Sequence, residues 1–93
     1  MYQLDYTGKF RKDLQRCQKR GYDMTEIKVV IKHLEEDGQV PVQYLPHKLK
    51  GKMQGYWECH IEPNWLLIYD VMDIIKLVTL ARTGTHSDLL SKS

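Results

Sequence analysis

"YWECHIEPNWLLIYDVMDIIKLVTLAR", residues 56–82, holds three apolar-rich runs broken by Pro63-Asn64 and by Met72-Asp73. Short runs of aromatic, β-branched and aliphatic residues with two-residue punctuation spell strands joined by tight turns, so the spacing predicts an antiparallel meander over 56–62, 65–71 and 74–82. Period-two alternation in the first run places Trp57, Cys59 and Ile61 on one face and Tyr56, Glu58 and His60 on the other. A strand that buries a tryptophan and an isoleucine thus presents a histidine on its far side.

On the N-terminal side of this meander, "YQLDY" at 2–6 alternates tyrosine and leucine with polar residues and reads as a short strand. Thr7 is placed to cap a helix in which Phe10, Leu14 and Cys17 recur at helical spacing until Gly21. Asp23 and Glu26 have capping-box spacing ahead of a second helix, whose stripe of Ile27, Val30, Ile31 and Leu34 ends at Asp37-Gly38. Residues 39–55 contain two prolines and two glycines and read as loop with one short extended piece. The expected fold is α+β: an N-terminal strand, two helices and an antiparallel sheet on which they pack.

A chain of 93 residues is long enough for one core and too short for two, which makes 1–93 a single domain. Hydrophobic residues at 42% and charged residues at 28% are the balance of a globular protein, not of a disordered or membrane-spanning one. "MYQLDYTGKF" has neither the basic nor the apolar region of a signal peptide, so a cytoplasmic location and reduced Cys17 and Cys59 are expected.

Net charge is only +2, but it is unevenly spread. "KFRKDLQRCQKR" at 9–20 carries six basic residues (Lys9, Arg11, Lys12, Arg16, Lys19, Arg20) against one acid, and "HKLKGK" at 47–52 adds Lys48, Lys50 and Lys52. Two basic patches are the footprint of a phosphate-binding surface, though a solvated helix face has the same composition.

Histidines stand at 33, 47, 60 and 86. His33 lies off the apolar stripe of its helix. A zinc site from His47, Cys59, His60 and His86 has suitable ligand types, but adjacent strand residues point to opposite faces, so Cys59 and His60 cannot share one ion without a bulge. The three histidines at 47, 60 and 86 could still hold a metal, but their spacing matches no compact motif, and no metal or other cofactor is expected. RNA cleavage without a metal requires a base for the 2′-hydroxyl proton, an acid for the departing 5′-oxygen and a cation for the pentavalent phosphate. Histidine can do either proton job near neutral pH, and Arg82 of "ARTGTH" can supply the cation.

"HKLKG" at 47–51, "GYWECHIEPNWLLIYDV" at 55–71 and "RTGTHSDLL" at 82–90 resemble the corresponding blocks of YafQ-type toxins in the RelE/ParE superfamily, and the similarity is strongest from about residue 44 onward. The resemblance implies a toxin that enters the ribosomal A site and cuts messenger RNA, restrained by a cognate antitoxin and reaching operator DNA only through the complex with it. It also implies functional positions at His47, His60, Trp65, Arg82 and His86. The general base would be His47 or His60, the acid His86 and the phosphate-stabilising group Arg82, while the basic residues of 9–20 and 47–52 would bind ribosomal RNA backbone.

Two positions depart from the family pattern: Asn64 replaces an aspartate and Leu90 a phenylalanine. Asn64 can orient a histidine without lending it a countercharge, and Leu90 can press on a base without stacking. Trp65 suits a core plug as well as a cleft wall. The alternative function is that of the ParE-like toxins, which inhibit DNA gyrase by binding and have no use for a set of histidines and an arginine. A plain RNA-binding module would instead alternate exposed aromatic and basic residues on a sheet.

Overall fold

Strand β1 (Gln3–Tyr6) leads through Thr7 into helix α1 (Gly8–Lys19), and helix α2 (Met24–Asp37) follows. After a loop containing β2 (His47–Lys48) come β3 (Trp57–Glu62), β4 (Trp65–Met72), β5 (Leu77–Gly84) and the short α3 (His86–Leu90). This computed structural model describes residues 1–90, the side chain of Leu90 excepted. The base-pressing role expected of Leu90 therefore lies outside the described residues.

The five strands form one sheet in the order β1-β5-β4-β3-β2. The meander is antiparallel as its punctuation predicts, whereas β1 joins the far side of β5 in parallel, which makes the sheet mixed. One stretch expected to be strand is not: residues 74–76 belong, with Asp73, to the turn, and β5 starts at Leu77. Pairing of Met72 with Leu77 requires those four residues to close the hairpin, so Ile74 and Ile75 sit 98% and 63% exposed despite their β-branched side chains. Register, which buries Val78 and Leu80 completely, outweighs local propensity there.

Both helices begin as their sequence directs. Thr7 accepts a hydrogen bond from the Phe10 amide, and Phe10 and Cys17 enter the core. Asp23 caps α2, but its carboxylate takes the amide and hydroxyl of Thr25, so the reciprocal box with Glu26 does not form. Glu26 lies instead beside Glu62, and that neighbouring carboxyl raises its pKa above the ordinary value. Gly38 ends α2 with φ 68°, where a side chain would collide with the Tyr2 ring.

At 12 and 14 residues these helices are marginal alone and are held by packing. Ile27, Val30 and Leu34 of α2 and Phe10 of α1 meet Cys59, Leu67, Tyr69, Val78 and Leu80 from the sheet. Each such aliphatic or aromatic side chain contributes about 1.5–3 kcal/mol when buried. The faces of β3 are those that alternation predicts: Cys59 and Ile61 point into the core, and Glu58 and His60 point away from it.

Candidate active site

Register assembles the site before any side chain is considered. Arg82 pairs with Ile68, Ile68 with Glu58 and Glu58 with His47, a row running across four strands. The next row contains Gly84, Leu66 and His60. Residues far apart in the chain thus share the sheet face turned from the helices, and α3 brings His86 to the same end.

The three histidine rings stand in sequence. His47 and His60 have centroids 6.3 Å apart, and His60 and His86 5.9 Å. His60 Nδ1 lies 3.3 Å from the Pro63 carbonyl oxygen, which can only accept, so the proton belongs on Nδ1 and Nε2 faces outward. Asn64 Oδ1 accepts from the His86 backbone N–H at 3.1 Å and from Nδ1 at 2.7 Å. Because a backbone N–H only donates, the atom it meets is the amide oxygen, and His86 too carries its proton on Nδ1. Asn64 thus holds a histidine in place.

His47 differs from the other two. Its Nδ1 lies 3.2 Å from the Leu45 carbonyl oxygen and its Nε2 3.3 Å from Glu58 Oε1. Both ring nitrogens face acceptors, and both contacts can be made at once only by the doubly protonated ring. Glu58 was not singled out from the sequence, although its position two residues before His60 puts it on the same strand face.

Three ligand atoms, one each from His47, Glu58 and His60, lie within 4.8 Å of one another. Ligands on a tetrahedral ion with bonds of about 2.1 Å stand roughly 3.4 Å apart, so this set could close on a divalent metal with small adjustments. The metal set weighed from sequence therefore changes membership, with Glu58 entering. Cys59 is excluded as alternation predicts: it is fully buried, and burial pushes its thiol up to about 12.

Arg82 is held by Asp13 of α1, with Nε 2.6 Å from Oδ2 and Nη2 3.2 Å from Oδ1. Asp13 also binds Arg16, and Asp88 of α3 takes Arg20 at 2.7 and 3.1 Å. Two of the six basic residues assigned to RNA backbone thus face internal acids, whereas Lys9, Arg11, Lys12 and Lys19 are exposed, as are Lys48, Lys50 and Lys52. Thr85 and Asp88 form a reciprocal capping box at the start of α3. The Arg20 guanidinium, aided by the Thr85 amide, holds the Asp88 carboxyl well below the usual range. Gly84 makes room for it, since a Cβ there would lie 2.8 Å from an Asp88 oxygen.

Trp65 fills the core: it is 3% exposed, its Nε1 donates to Thr83 Oγ1 at 2.9 Å, and its ring meets Tyr22 edge-on at 4.8 Å. Of the two roles open to it in the sequence, the buried one matches its position. A hollow of about 470 Å³ flanks His60, while one of about 700 Å³ lies between α1 and α2, away from the histidines.

A family profile described as "Bacterial toxin of type II toxin-antitoxin system, YafQ" matches residues 2–91. The chain is 39% identical over 87 residues to the mRNA interferase toxin YafQ of Escherichia coli (strain K12), covering 92% of each. It is similar to a chain of the crystal structure of the E. coli DinJ–YafQ complex, at 37% identity and a TM-score of 0.88 over 98% of this chain and 100% of that one. A metal-bound toxin from Helicobacter pylori is 32% identical, with a TM-score of 0.87 over 97% of this chain and 100% of that one.

Proposed function

This chain belongs to the YafQ family of bacterial toxins of type II toxin–antitoxin systems, and we propose that it acts, as its E. coli relative is named, as an mRNA interferase. In this reading it is a ribosome-dependent endoribonuclease that cuts messenger RNA in the A site by acid–base chemistry without a metal. The supporting observation is the pair His60 and His86, 5.9 Å apart, each with Nδ1 bonded to a protein oxygen and Nε2 left to the substrate.

His60 Nε2 accepts the 2′-hydroxyl proton as the 2′-oxygen attacks phosphorus. The bond to the 5′-oxygen breaks, and protonated His86 delivers its Nε2 proton to that oxygen. The products are a 2′,3′-cyclic phosphate and a 5′-hydroxyl. Arg82 neutralises the charge that builds on the non-bridging oxygens. Between the two candidate bases, the geometry favours His60, because both His47 nitrogens already face acceptors. A metal held by His47, Glu58 and His60 would occupy the lone pair that the base needs.

The exposed lysines of α1 and of 48–52 suit contact with ribosomal RNA backbone. By analogy with the DinJ–YafQ complex, a cognate antitoxin binds and restrains the enzyme. A ribosomal substrate places it in the cytoplasm. The test is to incubate pure, zinc-stripped protein with messenger RNA, with and without programmed ribosomes, and to map the ends. Cuts confined to the A site of programmed ribosomes are expected; cutting of naked RNA, or activity that returns only with added zinc, overturns the reading.

A further inference from the structure

Asp13 is the single acid in the basic run of α1, and it is 2% exposed. A carboxylate so buried needs its lone pairs filled, and four donors fill them. Arg82 Nε and the Thr83 amide meet Oδ2 at 2.6 and 3.1 Å, while Arg82 Nη2, at 3.2 Å, and Arg16 Nη2 meet Oδ1. The location has a structural cause. Strand β1 pairs with β5 only as far as Tyr6 with Leu80, so the edge of β5 beyond it lacks a strand partner. Helix α1, starting from the Thr7 cap bonded to Ala81, crosses that edge, and the Asp13 side chain takes the Thr83 N–H that a longer β1 would have taken.

Resting on the proposed reaction, we infer that Asp13 is the positioning residue for the phosphate-binding arginine: its bidentate bond to Nε and Nη2 fixes the plane of the Arg82 guanidinium and leaves the Nη1 edge for the scissile phosphate. A guanidinium has five N–H groups, of which Asp13 takes two in one rigid fork. An unrestrained arginine would lose side-chain entropy each time it met the phosphate; this one has lost it already on folding.

The test is a double-mutant cycle of Asp13→Asn and Arg82→Ala, read by single-turnover cleavage and, separately, by ribosome affinity. Asp13→Asn alone is expected to slow cleavage roughly ten- to a hundredfold with affinity held within about twofold, and to add less than about twofold when Arg82 is already alanine. Independent, multiplying losses in the folded variants would overturn the inference, as would an unchanged rate in folded Asp13→Asn. An Arg82→Ala variant that cleaves normally would remove both the phosphate role of Arg82 and the positioning role that rests on it.

Should Asp13→Asn fail to fold, the parent protein answers by NMR of its arginine side chains. A clamped Arg82 gives separate, slowly exchanging Nη signals with a protected Nε–H. Averaged signals like those of an exposed arginine would overturn the proposal.

Discussion

The basic helix and the histidine end look alike as clusters of titratable residues, yet they use their charge in opposite ways. Along α1, Arg16 and Arg20 spend their guanidinium groups on Asp13 and Asp88, and what remains outward is mainly lysine. At the other end each histidine of the proposed acid–base pair is tied at one nitrogen only, His60 to Pro63 and His86 to Asn64, and its second nitrogen is not engaged by a described residue's hydrogen bond. Counting charges does not distinguish the two regions; asking what each hydrogen bond consumes does.

The sharpest way to break this contrast is at the histidine end. Arg82→Ala and His86→Ala should each slow single-turnover cleavage by roughly a hundredfold or more, with ribosome binding largely retained. Parallel losses of binding and rate would make both residues RNA-holding groups, and the two regions would then be the same kind of surface.

Within α1 the contrast predicts a division of labour. Charge reversal of Lys9, Lys12 and Lys19 should weaken ribosome association and reduce its salt slope by about one unit for each phosphate no longer neutralised, without changing the thermal midpoint much. Arg20→Ala should do the reverse, lowering the midpoint by loosening α3 while the salt slope stays near that of the parent. Identical salt slopes for the triple variant and the parent would return the helix to a solvated face.

A smaller effect is expected from Asn64→Asp, which keeps the bond to His86 and adds a charge. A carboxylate stabilises the imidazolium, so the basic limb of the cleavage profile should move to higher pH, by up to about one unit, if His86 is the acid. Movement of the acidic limb would make His86 the base. A profile that superimposes on the parent's would take Asn64 out of the reaction.

The smallest effect concerns stability in acid. Arg20 and Thr85 depress the Asp88 pKa on folding, so the unfolded chain binds the proton more readily and the contribution of Asp88 is fully present above about pH 4 and is lost as pH falls further. Thermal midpoints measured from pH 6 to pH 2 should fall less steeply for Asp88→Asn than for the parent. Parallel curves would show that the pair with Arg20 is too well solvated to matter.

Much of this molecule is written in local pattern. Strand faces follow from a period of two, the caps Thr7 and Asp23 from their hydrogen-bonding side chains, and the exclusion of Cys59 from its adjacency to His60. Glu58 was open to the same reasoning, since it shares a face with His60. Asp13 was also within reach, because it lies three residues after Phe10 and four before Cys17, on the buried stripe of α1. Thr85 and Asp88, three residues apart, were equally open to reading as a capping box.

By itself, the sequence determined the meander, the two helices and the sheet face that carries His60, because periodicity and capping act over a few residues. Only the tertiary structure decided that Asp13 meets Arg82 across 69 positions and that Asn64 meets His86 across 22. Such bonds depend on where a short β1 ends, where Pro63 turns the chain and how α1 crosses an open strand edge. No local period encodes those distances; they are set when all the elements pack together.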